Sequence, residues 1–217
     1  MRPLVFIGPT LSQRRCSALL SAEYLPPARK GSLNEVTPGR VVAIIDGEIP
    51  PDAFLPECEV RAALERDVVL FGAASVGAYH ASIFTDQGMH GVGWVYDQYR
   101  AGALASFDEI AVMYDPVSLR ALSVPLVNVR SWLEGLRGAS FLRPEDVTAI
   151  LEEVRRLPIS ERDAVRIKRC IAELFGRSAL RKFDLPSDTF PDVKVHDAQM
   201  LLQLLARRSE NSAHQSR

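Results

Sequence analysis

The sequence predicts an α/β fold built on a mostly parallel sheet, with a C-terminal helical subdomain, and three observations carry that prediction. Four short apolar runs, Leu4-Val5-Phe6-Ile7, Val41-Val42-Ala43-Ile44-Ile45, Val68-Val69-Leu70-Phe71 and Ile110-Ala111-Val112-Met113, have the continuity of strands covered on both faces. Segments with helical spacing alternate with them, as a parallel sheet with crossover helices requires. From about Ser131 the texture changes to charged amphipathic segments. The domains expected from this are an α/β core over 1–130, helices over 131–208 and a disordered polar tail over 209–217.

Composition sets the outer limits. The chain of 217 residues is 47% hydrophobic and 24% charged, with a net charge of −1. That balance gives no electrostatic footprint for nucleic acid or an anionic membrane surface. No apolar run is long enough to span a bilayer, and a cytoplasmic location is the expectation. Cys16, Cys58 and Cys170 and the four histidines are dispersed, so neither set forms a metal-binding pattern. No cofactor fingerprint occurs either, because Gly8-Pro9-Thr10 matches neither the dinucleotide nor the phosphate-loop glycine pattern.

The first strand ends at Gly8-Pro9-Thr10, a turn that could cradle an anion, and a short helix is expected over 11–20. Pro26-Pro27 with Arg29 and Lys30 reads as an ordered loop, either solvated or lining a site. The second strand ends at Asp46-Gly47, and an aspartate there lies where open parallel sheets bind ligands. A helix over 56–66 carries Glu59.

The third strand delivers Gly72-Ala73-Ala74-Ser75-Val76-Gly77 and then a helix. That order puts Ser75 on a strand-to-helix turn, flanked at two residues' distance by the small Ala73 and Gly77. Two readings follow: a nucleophilic serine facing the free N–H groups of a helix, or small residues that let the helix pack closely or be capped. His80, on the same helix, stands about 140° around the axis from Ser75. Gln87 to Gly93 reads as a glycine-rich turn carrying His90, and a helix over 94–101 carries Arg100. The strand ends thus place Thr10, Asp46, Ser75 and Asp115 along one edge. The late segments at 147–154, 164–175 and 198–206 are expected to pack on the sheet or against a second copy of the chain, as in a homo-oligomer.

Several stretches in this order resemble the TfuA-like family: Val5-Phe6-Ile7-Gly8-Pro9-Thr10-Leu11-Ser12, Pro26-Pro27-Ala28-Arg29-Lys30-Gly31, Ile44-Ile45-Asp46-Gly47, Phe71-Gly72-Ala73-Ala74-Ser75-Val76-Gly77-Ala78, Gly88-Met89-His90-Gly91-Val92-Gly93, Tyr99 with Gly102, Asp108-Glu109-Ile110-Ala111-Val112 and Val127-Asn128-Val129-Arg130. The resemblance implies a companion of YcaO enzymes, which activate a peptide amide by ATP-dependent phosphorylation, in the version that installs sulfur in a peptide or protein substrate. It implies hydrolysis of a thiocarboxylated ThiS-like carrier protein, with Ser75 as nucleophile, a nearby carboxylate or histidine such as Asp46 or His80 moving the proton, and Glu59 orienting a base or pairing with a cation. Gly8, Pro9, Thr10, Gly72, Ala74, Val76, His90 and Arg100 would then line the pocket. The chain departs from the family at Cys58, where a lysine is expected, and at His80 and Ile83, where an arginine and a glutamate are expected. Those losses favour a noncatalytic adaptor that docks YcaO or its peptide, and a stand-alone serine hydrolase is the third reading.

Overall fold

The computed structural model describes residues 1–138, 142–176 and 190–215. Among them five strands form one all-parallel sheet in the order β2-β1-β3-β4-β5: β1 (Leu4–Phe6), β2 (Glu23–Leu25), β3 (Val41–Ile44), β4 (Val69–Ala73) and β5 (His90–Val92). The helices are α1 (Gln13–Ser17), α2 (Glu57–Glu65), α3 (Val76–Phe84), α4 (Trp94–Arg100), α5 (Leu126–Gly138), α6 (Pro144–Arg156), α7 (Ala164–Phe175) and α8 (Val193–Gln215). This is an α/β fold. No helix among the described residues is long and apolar enough to cross a membrane.

The continuous apolar runs exist because both faces of the central strands are covered. Alternate residues Leu4, Phe6, Val42, Ile44 and Leu70 meet Val60 and Ala63 of α2 and Ala81 and Phe84 of α3 on one face. On the other, Val5, Ala43, Phe71 and Ala73 meet Cys16 and the stripe Ala198, Leu201, Leu202 and Leu205 of α8. That stripe has the i, i+3, i+4, i+7 spacing of one helical face. The last amphipathic helix therefore packs on the sheet, one of its two expected fates.

The chain forms two compact units, residues 1–105 with 194–217, and residues 106–193. Sequence texture placed the boundaries at 130/131 and 208/209 instead. Residues 106–125 differ because the expected fourth strand does not form. Phe107–Glu109 is a 3-10 turn, and the segment after it bonds locally: Met113 N–H donates to Ser123 Oγ, and Leu122 N–H donates to the Met113 carbonyl at 2.7 Å. Asp115 therefore ends no strand of the sheet. Its carboxylate accepts from Ser118 N–H and Val117 N–H in an exposed turn, and these bonds hold its pKa below the usual value. At the chain's end, α8 continues to Gln215 through most of the segment expected to be a disordered tail.

Two strands escaped the sequence pattern. Segments 23–25 and 90–92 are three-residue edge strands containing Glu23 and His90. An edge strand has one neighbour and an exposed side, so it needs no continuous apolar run. Unit 106–193 has its own core, where Leu126, Val129 and Leu133 of α5 meet Ile150, Val154, Ile167 and Ile171.

Candidate functional site at the carboxyl ends of the strands

In open α/β sheets ligands bind outside the carboxyl ends of the strands, where the strand order reverses. Here the reversal falls at β1 and β3, and the loops leaving those strands carry Gly8-Pro9-Thr10 and Asp46-Gly47. The structure brings them into direct contact. Asp46 is 2% exposed. Its Oδ2 accepts from the Gly8 N–H at 2.8 Å and the Thr10 N–H at 3.0 Å, and its Oδ1 accepts from the Thr10 hydroxyl at 2.6 Å. The carboxylate thus occupies the place an anion would take in that turn. Gly8 is required there, since a Cβ would stand 2.5 Å from Pro27 Cγ.

Beside it Cys16 is fully buried. Burial first, and the negative Asp46 second, push its thiol up to about 11. It is protonated and unreactive at neutral pH.

Ser75 sits after β4 on a sharp turn. Ala74 has φ of +66° and the Ser75 N–H donates back to the Ala73 carbonyl at 2.7 Å. A non-glycine residue held there costs about 1–3 kcal/mol, which the surrounding packing offsets. That packing is tight. A Cβ on Gly77 would lie 1.7 Å from the Ile44 carbonyl oxygen, and one on Gly72 would lie 2.0 Å from the Gly77 carbonyl oxygen. The small residues accordingly serve close helix–strand packing, the plainer of the two expectations, and Ser75 stands immediately before the first turn of α3. Ser75 is 3% exposed and its hydroxyl makes no capping bond. Among the described residues no acceptor takes the Val76 N–H, while the Gly77 N–H makes a long 3.5 Å bond to the Ile45 carbonyl.

The expected proton-transfer groups are committed elsewhere. Glu59 is 8% exposed, and its two oxygens accept from Gly31 N–H at 2.7 Å and Leu33 N–H at 2.6 Å. His80 is fully buried and packs against Phe54, Tyr79 and Phe84. Neither ring nitrogen makes a close hydrogen bond. Burial pushes its pKa down to about 4, only partly offset by the Leu55 backbone, so at neutral pH it is an uncharged core side chain. No side chain among the described residues hydrogen-bonds the Ser75 hydroxyl.

The other expected lining residues are scattered. Pro9 lies in the Asp46-held turn, and Val76 packs against Gly47, where a Cβ would meet it at 2.8 Å. His90 opens β5 with its ring 4.8 Å from Phe71. Arg100, at the end of α4, faces Asp86 at 3.7 Å. No group of three His, Cys, Asp or Glu side chains among the described residues comes together to hold a metal ion.

One residue of this edge gave no sequence signal. Asp197 of α8 is fully buried and accepts from Trp94 N–H at 3.0 Å and Val95 N–H at 2.8 Å, closing the N-terminus of α4. Burial pushes its pKa up to about 6 despite those donors.

A family model for TfuA-like proteins matches residues 46–163, more than half of the chain. The chain belongs to the TfuA-like family. The match covers Asp46, Glu59, the Ser75 turn and the two motifs of the second unit, while Gly8-Pro9-Thr10 and Pro26 to Gly31 lie before it. Membership carries an accessory role beside YcaO enzymes. None of the curated proteins compared with the chain matches it. The two motifs of the second unit now have a physical reading. Glu109 of the first is 2% exposed and receives two bonds from Arg130 of the second, at 2.6 and 3.2 Å.

Proposed function

We propose that this TfuA-like protein handles sulfur for its YcaO partner in backbone thioamidation, releasing it from a thiocarboxylated ThiS-like carrier at Ser75. The supporting observation is the strained turn that leaves the Ser75 hydroxyl without a capping bond beside the Val76 N–H, which no acceptor among the described residues takes. The Ser75 oxygen attacks the thioacyl carbon, the C–S bond breaks, and the serine proton leaves with sulfur as HS⁻. Water then cleaves the acyl-serine, returning the carrier as a carboxylate. Negative charge gathering on the acyl oxygen meets the N-terminus of α3.

A second reading, the noncatalytic adaptor that docks YcaO or its peptide substrate, is favoured by a separate observation. Asp46 and Glu59 are occupied by backbone donors and His80 is sealed in the core, so none of the three expected groups is placed to serve Ser75 as a base. Sulfide release from a thiocarboxylated carrier separates the two. Under the first reading Ser75→Ala lowers the rate at least about 100-fold. Equal release by wild type and variant, with YcaO still bound by both, rejects it in favour of the adaptor.

A further inference from the structure

The segment that leaves β2, Pro26 to Leu33, is held at almost every backbone donor. Ala28 N–H donates to the Asp46 carbonyl, and the Ala28 carbonyl accepts from Glu48 N–H, each at 2.9 Å. Arg29 N–H donates to Ser32 Oγ at 2.8 Å and Lys30 N–H to the Ala53 carbonyl at 2.9 Å. Glu59 takes the N–H groups of Gly31 and Leu33, and Arg66 Nη2 donates to the Leu33 carbonyl at 2.7 Å. A buried carboxylate is thus devoted to shaping a surface loop. Such a loop is a rigid mount.

What it mounts is charge. The side chains of Arg29 and Lys30 are exposed, and among the described residues no carboxylate pairs with either. They border a cleft of about 440 Å³ at the carboxyl ends of β1 and β2, walled by Phe6, Leu25, Pro26 and Pro27. Glu48 is the one acidic side chain in the lining. Two cations against one anion leave the cleft with a single net positive charge.

We propose that this cleft binds the carboxylate end group of an extended chain. Arg29 supplies a planar fork that matches a carboxylate, and Lys30 adds a point charge. The apolar walls fit the residues that precede the end group. A phosphate dianion is a poorer match, because the loop's N–H groups are already engaged and cannot form the ring of backbone donors typical of phosphate sites. The assignment is independent of sulfur release at Ser75.

The test is fluorescence anisotropy with the full chain and a labelled peptide of apolar and glycine residues ending in a free carboxylate, beside its carboxamide twin. The expected result is about tenfold weaker binding of the carboxamide, with the difference shrinking at high salt. Arg29→Gln and Lys30→Gln each weaken the carboxylate peptide several-fold, and together they erase its advantage, while thermal midpoints stay at the wild-type value. Equal binding of the two peptides, no binding of either, or a preference that survives the double variant overturns the proposal. Competition by inorganic phosphate as strong as that of the unlabelled carboxylate peptide also overturns it, reassigning the cleft to phosphate.

Discussion

The two compact units bury carboxylates for opposite ends. In the unit that contains the sheet, Asp46, Glu59 and Asp197 are all below 10% exposure. Each accepts from backbone N–H groups, and among the described residues none pairs with an arginine or lysine. In the unit of residues 106–193, Glu109 is met by Arg130 and Arg155 at 2.6 Å each, and Asp108 by Arg162 at 2.8 Å. The difference separates two tasks. A carboxylate that takes N–H groups fixes the shape of a loop, and it does so here at the carboxyl edge of the sheet. A carboxylate that takes guanidinium groups ties together elements far apart in sequence, here the 3-10 turn, α5 and α6. The first arrangement needs no cation, and Arg29 and Lys30 beside the Glu59-held loop stay available to a ligand; the second engages Arg130, Arg155 and Arg162 internally.

The largest expected effect comes from breaking the ionic arrangement. Glu109→Ala leaves Arg130 and Arg155 without their shared partner, and removal of one member of a buried pair costs about 3–5 kcal/mol. The urea midpoint of the second unit should fall accordingly, read by the fluorescence of Trp132 in its core. A midpoint near wild type would show that the pairs are solvated and idle.

Asp46→Ala is next. It strips the acceptor from two N–H groups and the Thr10 hydroxyl, and hydrogen bonds to a charged group cost about 1.5–3 kcal/mol each when lost, less whatever water restores at the opened turn. About 3 kcal/mol is the expected loss, measured by urea unfolding. Thr10→Val removes only the 2.6 Å hydroxyl bond and should cost about 1–2 kcal/mol. If the two variants were equal, the backbone bonds would be contributing nothing. Because Asp46→Ala releases the turn, its loss of sulfur release alone would not mark Asp46 as a base.

The central strands were legible because covering both faces demands continuous apolar residues, and Asp46 stood out because it follows such a run. Its task was not legible. The donors that occupy it belong to Gly8 and Thr10, 38 and 36 residues earlier, and no local spacing encodes that pairing. Glu59 looked like any helix carboxylate for the same reason. Asp197 is a lone acid on an amphipathic helix whose donors lie 103 and 102 residues away, so only tertiary contact reveals it. His80 shows the converse. Its type suggested chemistry, and its helix face decided for the core. Ile110 to Met113 misled because four successive apolar residues read as a buried strand, whereas here only Ile110 and Ala111 are buried and Met113 is 45% exposed in a loop.

Two buried groups of the sheet unit give pH effects of opposite sign. His80 has a folded pKa of about 4, below the usual 6.5, so the unfolded chain takes up the proton first. Its stabilising contribution is full above pH 6.5 and is lost as pH falls toward 4, up to about 3 kcal/mol at 1.36 kcal/mol per unit. Asp197 has a folded pKa of about 6, above its ordinary value, so its contribution is full below about pH 4 and is lost as pH rises through 6. Between pH 7 and 5, His80→Leu should therefore flatten the acid-side loss of stability relative to wild type, by about 1–2 kcal/mol. Asp197→Asn should steepen it. Parallel urea-midpoint profiles for wild type and both variants would show that neither group titrates in its buried position.

The smallest effect sharpens the comparison most. Arg29→Gln with Lys30→Gln removes two cations that no carboxylate among the described residues holds, from a loop shaped by Glu59 and backbone bonds instead. The urea midpoint should not move. Arg130→Gln, a substitution of the same kind, takes away a guanidinium that makes two bonds to Glu109 and should lower the second unit's midpoint clearly. Equal costs for the two changes would mean that the β2 loop depends on its cations for its shape, and that they are no freer to meet a ligand than Arg130 is. A silent change at Arg29 and Lys30 beside a costly one at Arg130 would instead separate charge held for stability from charge held in reserve.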